Sequence, residues 1–433
     1  MKICMVVYDM QEFGGLEEYA VTLATALQQE GHPVSVLSTA WVAPDNQYLR
    51  RLREQQVQVI YLPRWLSHAA SHWPTKEQIL ATTMRLLCPV VYLLGLALWV
   101  VRRSSWQAAK QSAYHWLRAQ LMRRIIGPDR RQPLTRLLLR WWQLYWRPDL
   151  LHLHGYTTNL LFAIDWADRA GVPIVYEEHQ TPDAQFDWWQ GFHSTINKAN
   201  VVVAVSEKSA EALAEICGVT QPIVVRSPLL PDPMANGWHK PARQQGVATS
   251  INLTTVARLA VAKGLTYLLD AIAEVTARYP NARFRVYGNG DQRQALLAHA
   301  AALGLDGNTI FVGAFTTRAE LSAIMAETDI FVMSSVLEGQ PLAVVEAMSY
   351  GCPIVTTAVG GIPEIIEDGR NGMLCAPKDP AALVEKITAL IETPTLRTTL
   401  GTAARNLCGR PLSAGKSLSP FSGDLCQRDR AEN

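Results

Sequence analysis

Cysteine is scarce and unpatterned in this chain. Its seven cysteines (Cys4, Cys88, Cys217, Cys352, Cys375, Cys408 and Cys426) are scattered, with no Cys-x-x-Cys pair. An odd, scattered set argues against a disulfide framework and a zinc site, and it fits a reducing, cytosolic location. No Asp-x-Asp occurs anywhere, so the sequence offers no carboxylate pair of the kind that holds a nucleotide-bound metal. Long apolar runs are missing too. The run inside Met1–Asp9 is too short for a signal peptide and reads as a strand. The longest, 86–101, has 16 residues between Arg85 and Arg102. As a helix it spans about 24 Å, short of the roughly 30 Å hydrocarbon core of a bilayer. What is present is globular: 433 residues, 48% of them hydrophobic, enough for two domains with large cores.

Charge is nearly balanced, at a formal net of +2, but unevenly placed. Between Arg64 and Arg147 stand 14 Lys/Arg against two acids, Glu77 and Asp129, a surplus of twelve. The rest of the chain therefore has an excess of ten negative charges. The same basic stretch holds eight of the 13 tryptophans. A basic, tryptophan-rich block in an otherwise acidic protein implies a separate role.

Outside that block, strand and helix patterns alternate. "KICMVVYD" is apolar on both faces, as a buried parallel strand is. "FGG" follows, then a helical pattern to Gly31. "VSVLST", "VQVIYL", "DLLHLHG", "PIVYEEH" and "NVVVAVS" continue the series. Pro228, Pro231, Pro233, Gly237 and Pro241 mark a linker. A second series then begins with "INLTTVARL", "ARFRVYGNG", "TIFVGAF", "IFVMSS" and "PIVTTA". The fold class expected is α/β, with two Rossmann-like domains facing each other across a cleft. Their expected extents are 1–228 and 250–400, with a linker at 229–249, a helical insertion at 65–148 and an irregular tail at 401–433.

Arg258 and Lys263, in "ARLAVAKGL", fall between a predicted strand and a predicted helix. Two cations at a helix N-terminus make an anion site; two solvated loop cations are the plainer reading. "SSVLEGQPLAVVEAMSYGCPIV" (334–355) carries Glu338 and Glu346, eight residues apart. Pro341 suits the first turn of a helix that Gly351 ends. Glu338 then sits in the turn at the sheet edge, and Glu346 lies two helical turns on. Carboxylates accept hydrogen bonds from pairs of sugar hydroxyls, though a dipole-favoured N-terminal carboxylate and an ordinary helix glutamate fit the spacing as well. His152 and His154 alternate on one strand. No third metal ligand is evident beside them, so no metal site is assigned.

Taken in order, "FGGLEEY", "ARLAVAKGL", "VYGNGDQRQAL", "SSVLEGQPLAVVEAMSYGCPIV" and "VGGIPEII" resemble the motifs of the family 4 retaining glycosyltransferases of the GT-B fold. The resemblance covers roughly 1–62 and 149–395. It implies a nucleoside-diphosphate sugar as donor substrate and no cofactor. It also implies that Glu346 holds the ribose hydroxyls and Glu338 those of the transferred sugar. Arg258 and Lys263 would neutralise the diphosphate. Amides around Gly339, Gln340 and Leu342 would complete the phosphate cradle, Pro341 having no N–H to give. Gly14 and Gly15 would form the glycine-rich loop near diphosphate and acceptor. His179, closing "PIVYEEH", would contact the donor sugar.

Residues 65–148 have no counterpart in that resemblance. Tryptophans interleaved with arginines compose a segment that lies on an anionic membrane. A short spanning or re-entrant segment, and a hairpin packed on its own domain or on a partner, are the other readings. The apolar 16-mer argues against nucleic acid as partner. A membrane site beside the acceptor domain implies a glycolipid or lipid-linked saccharide acceptor. The chain would then sit in the cytoplasm, peripheral or monotopic on the inner face of the plasma membrane. Family members end in a helix that crosses back onto the N-terminal domain. Here the residues after Leu400 become Ser-, Gly- and Pro-rich and read as irregular, which would loosen domain closure. A hydrolysing nucleotide-sugar epimerase and a non-catalytic scaffold of the same fold are the competing functions.

Overall fold

A computed structural model of the chain describes residues 1–7, 10, 14–39, 41–61, 64, 146–155, 158–183, 193–224, 250–305 and 309–408. The first lobe is built on seven strands: β1 (Ile3–Val7), β2 (Val34–Ser38), β3 (Gln58–Tyr61), β4 (Leu150–His154), β5 (Ile174–Glu178), β6 (Val201–Ala204) and β7 (Ile223–Val224). With them go helices α1 (Gly15–Gln29), α2 (Gln47–Glu54), α3 (Thr158–Ala170), α4 (His193–Ile196) and α5 (Glu207–Cys217). The second lobe has β8 (Ile251–Val256), β9 (Ala282–Tyr287), β10 (Thr309–Gly313), β11 (Ile330–Met333), β12 (Ile354–Thr357) and β13 (Met373–Cys375). Its helices are α6 (Leu265–Arg278), α7 (Arg293–Ala302), α8 (Arg318–Glu327), α9 (Leu342–Ser349), α10 (Pro380–Glu392) and α11 (Pro394–Cys408).

The strand orders are β3-β2-β1-β4-β5-β6-β7 and β10-β9-β8-β11-β12-β13, and the strand pairings are parallel. Each sheet reverses its winding once, between β1 and β4 and between β8 and β11. At such a point the connecting loops diverge to opposite faces and leave a crevice at the strands' C-terminal ends. Both predicted Rossmann-like lobes are therefore present, each with the geometry that makes a ligand site.

The strands form where the apolar runs demand burial on two faces. In β1, Ile3, Met5 and Val7 join one core cluster while Cys4 and Val6 join the other. In β11, Ile330 and Val332 face one layer of helices, and Phe331 and Met333 the opposite layer. Caps set the helix starts. Ser206 caps α5, which ends at Gly218 in the left-handed conformation. Thr317 and Glu320 form a reciprocal capping box on α8.

Two sequence expectations change. The chain does not turn irregular at 401, because α11 continues to Cys408 and buries Leu400 and Ala404 completely. Its periodic apolar positions, 396, 400 and 404, continue the core-facing stripe, and the Ser-, Gly- and Pro-rich stretch begins only at Gly409. Among the described residues α11 packs on its own lobe: Gly401 lies against the backbone of Gly351, and Leu400 and Ala404 join that lobe's core clusters. Pro341 stands just before α9 as its cap, not in its first turn, with an extended ψ of 104°. The linker 229–249, the insertion from 65 to 145 with its 86–101 run, and the tail from 409 lie outside the described residues. Among the described residues no helix is long and apolar enough to cross a membrane.

Candidate active site

The two crevices face each other around a cavity of about 540 Å³. From the first lobe Gly14, Gly15, His179 and Gln180 line it; from the second come Arg258, Lys263, Glu338, Gln340, Leu342 and Glu346. Every predicted site residue except Gly339 is therefore on the wall of one pocket, although Gly14 and Glu346 stand far apart in the chain.

Local backbone explains each placement. After β8 the chain makes one 3-10 turn, Val261–Lys263, and then turns sharply at Gly264 (φ +57°) into α6. A side chain at Gly264 is impossible, since its Cβ would sit 2.2 Å from the Ser334 carbonyl oxygen. That contact holds the Lys263 turn against the end of β11. The Lys263 Nζ lies 2.5 Å from Glu338 Oε1, and the Ser335 hydroxyl donates to the same oxygen at 2.6 Å. Glu338 is 7% exposed. The acid expected on the sugar and the lysine expected on the diphosphate thus form a pair in the cleft.

Glu346 lies one turn into α9, buried, 3.9 Å from the Arg318 guanidinium. Burial, only partly offset by Arg318, pushes its carboxyl up to about 7. Arg318 also donates to Glu18 of the first lobe at 2.9 Å, and Arg51 grips both Glu18 oxygens at 2.8 Å. Glu18, 2% exposed, is therefore shared by an arginine from each lobe. Arg318 and Glu18 are 300 residues apart, and nothing in the sequence pattern singles them out.

Close backbone contacts complete the approach of the lobes. Gly339 is not a wall of the cavity but a contact point: a Cβ there would sit 2.1 Å from the His179 carbonyl oxygen. At Gly15 a Cβ would meet Leu342 at 3.0 Å, and at Gly361 it would meet the Ser206 side chain at 2.7 Å. Glu364 accepts hydrogen bonds from the amides of Glu207 and Lys208, which open α5 in the other lobe. A carboxylate at a helix N-terminus meets the positive end of its dipole. The "VGGIPE" stretch therefore docks the second lobe onto the first.

Beneath His179 lies a buried polar cluster. Glu177 is the third group that the His152/His154 pattern lacked; it comes from the adjacent strand, in register with His154. Its Oε2 is 3.2 Å from His152 Nε2 and 3.4 Å from His154 Nδ1. Burial alone would raise its carboxyl, but His179, His152 and His154 together hold it at about 2. Burial depresses His154 far below the usual imidazole value and lowers His179 too.

Two facing Rossmann-like lobes, with a nucleotide-sized cavity at both switch points, define the GT-B class of glycosyltransferase fold. Comparison with known proteins carries this further. Residues 241–407 match the family described as Glycosyl transferases group 1, and 93–228 match Glycosyltransferase Family 4. Over 420 residues the chain is 25% identical to a glycogen synthase of Mycobacterium tuberculosis, covering 94% of this chain and 89% of that protein. It is also 25% identical over 241 residues to a putative colanic acid biosynthesis glycosyltransferase, WcaL, of Salmonella typhimurium, covering 54% of this chain and 55% of that one. Anabaena HepE, solved in complex with UDP and glucose, superposes with a TM-score of 0.67 at 19% identity, over 99% of this chain and 100% of its own. Sucrose-phosphate synthase from Thermosynechococcus elongatus does so with a TM-score of 0.68 at 16% identity, over 100% of both chains. The chain belongs to the group 1, family 4 glycosyltransferases.

Proposed function

We propose that this glycosyltransferase moves a sugar from a nucleoside-diphosphate sugar to a membrane-associated glycolipid or lipid-linked saccharide, with retention of anomeric configuration and without a metal, in cell-surface polysaccharide synthesis. One observation carries the donor half: Arg258, Lys263, Glu338 and Glu346 line a single cavity between the lobes. As the nucleoside diphosphate leaves, negative charge grows on phosphate oxygen and positive character on the sugar ring. Arg258, Lys263 and the amides opening α9 meet the first. They are fixed before the reaction, so little reorganisation is needed as the charge develops. Glu338 and Glu346 accept from hydroxyls of the sugar and the ribose. When the diphosphate binds, Lys263 is shared between it and Glu338, which draws the sugar-holding carboxylate and the phosphate into one electrostatic unit. That HepE was solved with UDP and glucose supports the donor class. The similarity to WcaL, a putative colanic acid biosynthesis glycosyltransferase, supports a role in polysaccharide synthesis, and the basic, tryptophan-rich block supports the membrane half.

The test is a thermal-shift screen with UDP-, GDP- and ADP-sugars. A donor at 100 times its Kd stabilises the protein by about 2.7 kcal/mol. Product anomeric configuration by NMR then distinguishes retention from inversion and transfer from epimerisation. Flotation of the full-length chain with anionic liposomes tests the membrane half. A protein that no nucleotide sugar stabilises, or that ignores such liposomes, overturns the corresponding half.

A further inference from the structure

His179 is the cleft residue that reaches back into the protein. Its side chain is 13% exposed, and its Nε2 lies 3.3 Å from His154 Nδ1 and 3.9 Å from Glu177 Oε1. Alternation along two adjacent strands explains the gathering. Residues two apart share a face, so His152 and His154 of β4 stand beside Glu177, and His179 follows two residues later. Tyr19 of α1 closes the cluster, its ring 5.1 Å from that of His179 and 5.8 Å from that of His154.

The proton positions follow from counting donors. A carboxylate only accepts, and a neutral imidazole has one N–H and one lone pair. His152 therefore donates from Nε2 to Glu177. Two imidazole nitrogens 3.3 Å apart need one proton between them. His154 Nε2 is buried with no hydrogen-bond partner. A proton there would strand a buried donor, whereas on Nδ1 it has the His179 ring as acceptor and the negative Glu177 carboxylate 3.4 Å away to favour it. A stranded donor loses its full desolvation free energy. His154 thus carries its proton on Nδ1, His179 Nε2 accepts, and the His179 proton is left on Nδ1.

We infer that Glu177 is a positioning residue for glycosyl transfer: through His154 it fixes which nitrogen of His179 carries the proton, and so which hydrogen-bonding edge that ring offers to the ligand in the cleft. This rests on the donor-site reading above. The logic is that of a buried carboxylate that holds a catalytic imidazole in one tautomer, here acting through an intervening ring.

The experiment pairs kinetics with NMR of histidine labelled with 15N in the ring, which reports tautomers without any turnover. Wild type shows His154 and His179 as Nδ1–H forms. In Glu177→Gln both Nδ1–H populations fall, kcat drops by roughly 10–10²-fold, and the donor KM and donor thermal shift stay near wild type. His154→Phe keeps the ring but removes the relay nitrogen, and it serves if Glu177→Gln does not fold. It moves the His179 proton to Nε2, where the nearest acceptor is then Glu177. Unchanged tautomers in a folded variant, or tautomer changes with wild-type kcat, overturn the inference. So does one equivalent of a transition metal retained by purified wild type, since polar atoms of His152, His154 and Glu177 lie within 4.8 Å of one another and a bound metal would dictate the tautomers itself. Absence of any donor shift in wild type sinks the donor-site reading instead and leaves the tautomer result standing.

Discussion

Donor affinity is expected to depend on pH through Glu346, and the size of the effect can be worked from its surroundings. Its carboxyl sits at about 7 because burial beneath the cleft outweighs the pull of Arg318. Only the ionised form accepts from two ribose hydroxyls. At pH 6 a group with a pKa of about 7 is ionised in about one molecule in eleven, so affinity falls about tenfold from its alkaline plateau, or about 1.4 kcal/mol. Arg318 sets the midpoint. At the observed 3.9 Å, two unit charges attract by about 4 kcal/mol at an effective dielectric near 20. The guanidinium is 32% exposed and shared with Glu18, so screening leaves about 1–2 kcal/mol. Arg318→Ala should then raise the midpoint by about one unit and weaken donor binding at pH 7 by about fivefold. The assay is calorimetric titration with the nucleotide sugar from about pH 5.5 to 8.5. Glu178, whose burial also raises it to about 7, titrates in the same window, whereas the sugar-capped diphosphate of the donor stays fully ionised across it. Glu346→Gln keeps the Glu178 titration and removes its own, so the difference between the two curves isolates Glu346. Superimposable curves, or wild-type binding that tightens toward acid, would refute the assignment of Glu346 to the donor.

Three other outcomes are expected. Lys263→Ala or Glu338→Ala lowers turnover by on the order of 10²–10³, the scale for one preorganised electrostatic contact; near-normal steady-state rates in either purified variant would remove its role. Gly339→Ala puts a methyl 2.1 Å from the His179 carbonyl oxygen, so the lobes must part there. Activity should collapse while the far-ultraviolet circular dichroism stays unchanged, and small-angle scattering should report a more open particle. Leu400→Ala removes a fully buried side chain of α11 and should cost about 2–5 kcal/mol in denaturant unfolding. A loss below about 0.5 kcal/mol would mean that α11 is not part of the core.

Much of the site was legible because its residues fall in short, locally ordered segments. Glu338 and Glu346 stand on a turn and the helix after it, and Arg258 and Lys263 between a strand and the next helix. Such placements follow from apolar periodicity, Pro341 and the glycines, all of which act over a few residues. The break expected at Leu400 failed for a local reason: the apolar period of α11 runs on through Ala404, and the Ser-, Gly- and Pro-rich composition begins only after Cys408. Gly339 is placed in a phosphate cradle by the family resemblance of its segment. Only the facing lobe shows that its missing side chain makes room for a carbonyl.

By itself, the amino-acid order determined the two βα series, because periodicity and turn chemistry are properties of neighbouring residues, and its ordered motifs carried the family resemblance and, through it, the groups that line the pocket. The tertiary structure alone decided which distant charges meet. Glu18 is gripped by Arg51 of its own lobe and Arg318 of the other, Glu364 seats the start of α5, and Glu177 gathers His152 and His154 from the neighbouring strand. Those contacts arise from strand order and lobe docking, where residues up to 300 positions apart come within hydrogen-bond distance, and local sequence pattern has no means of encoding that encounter.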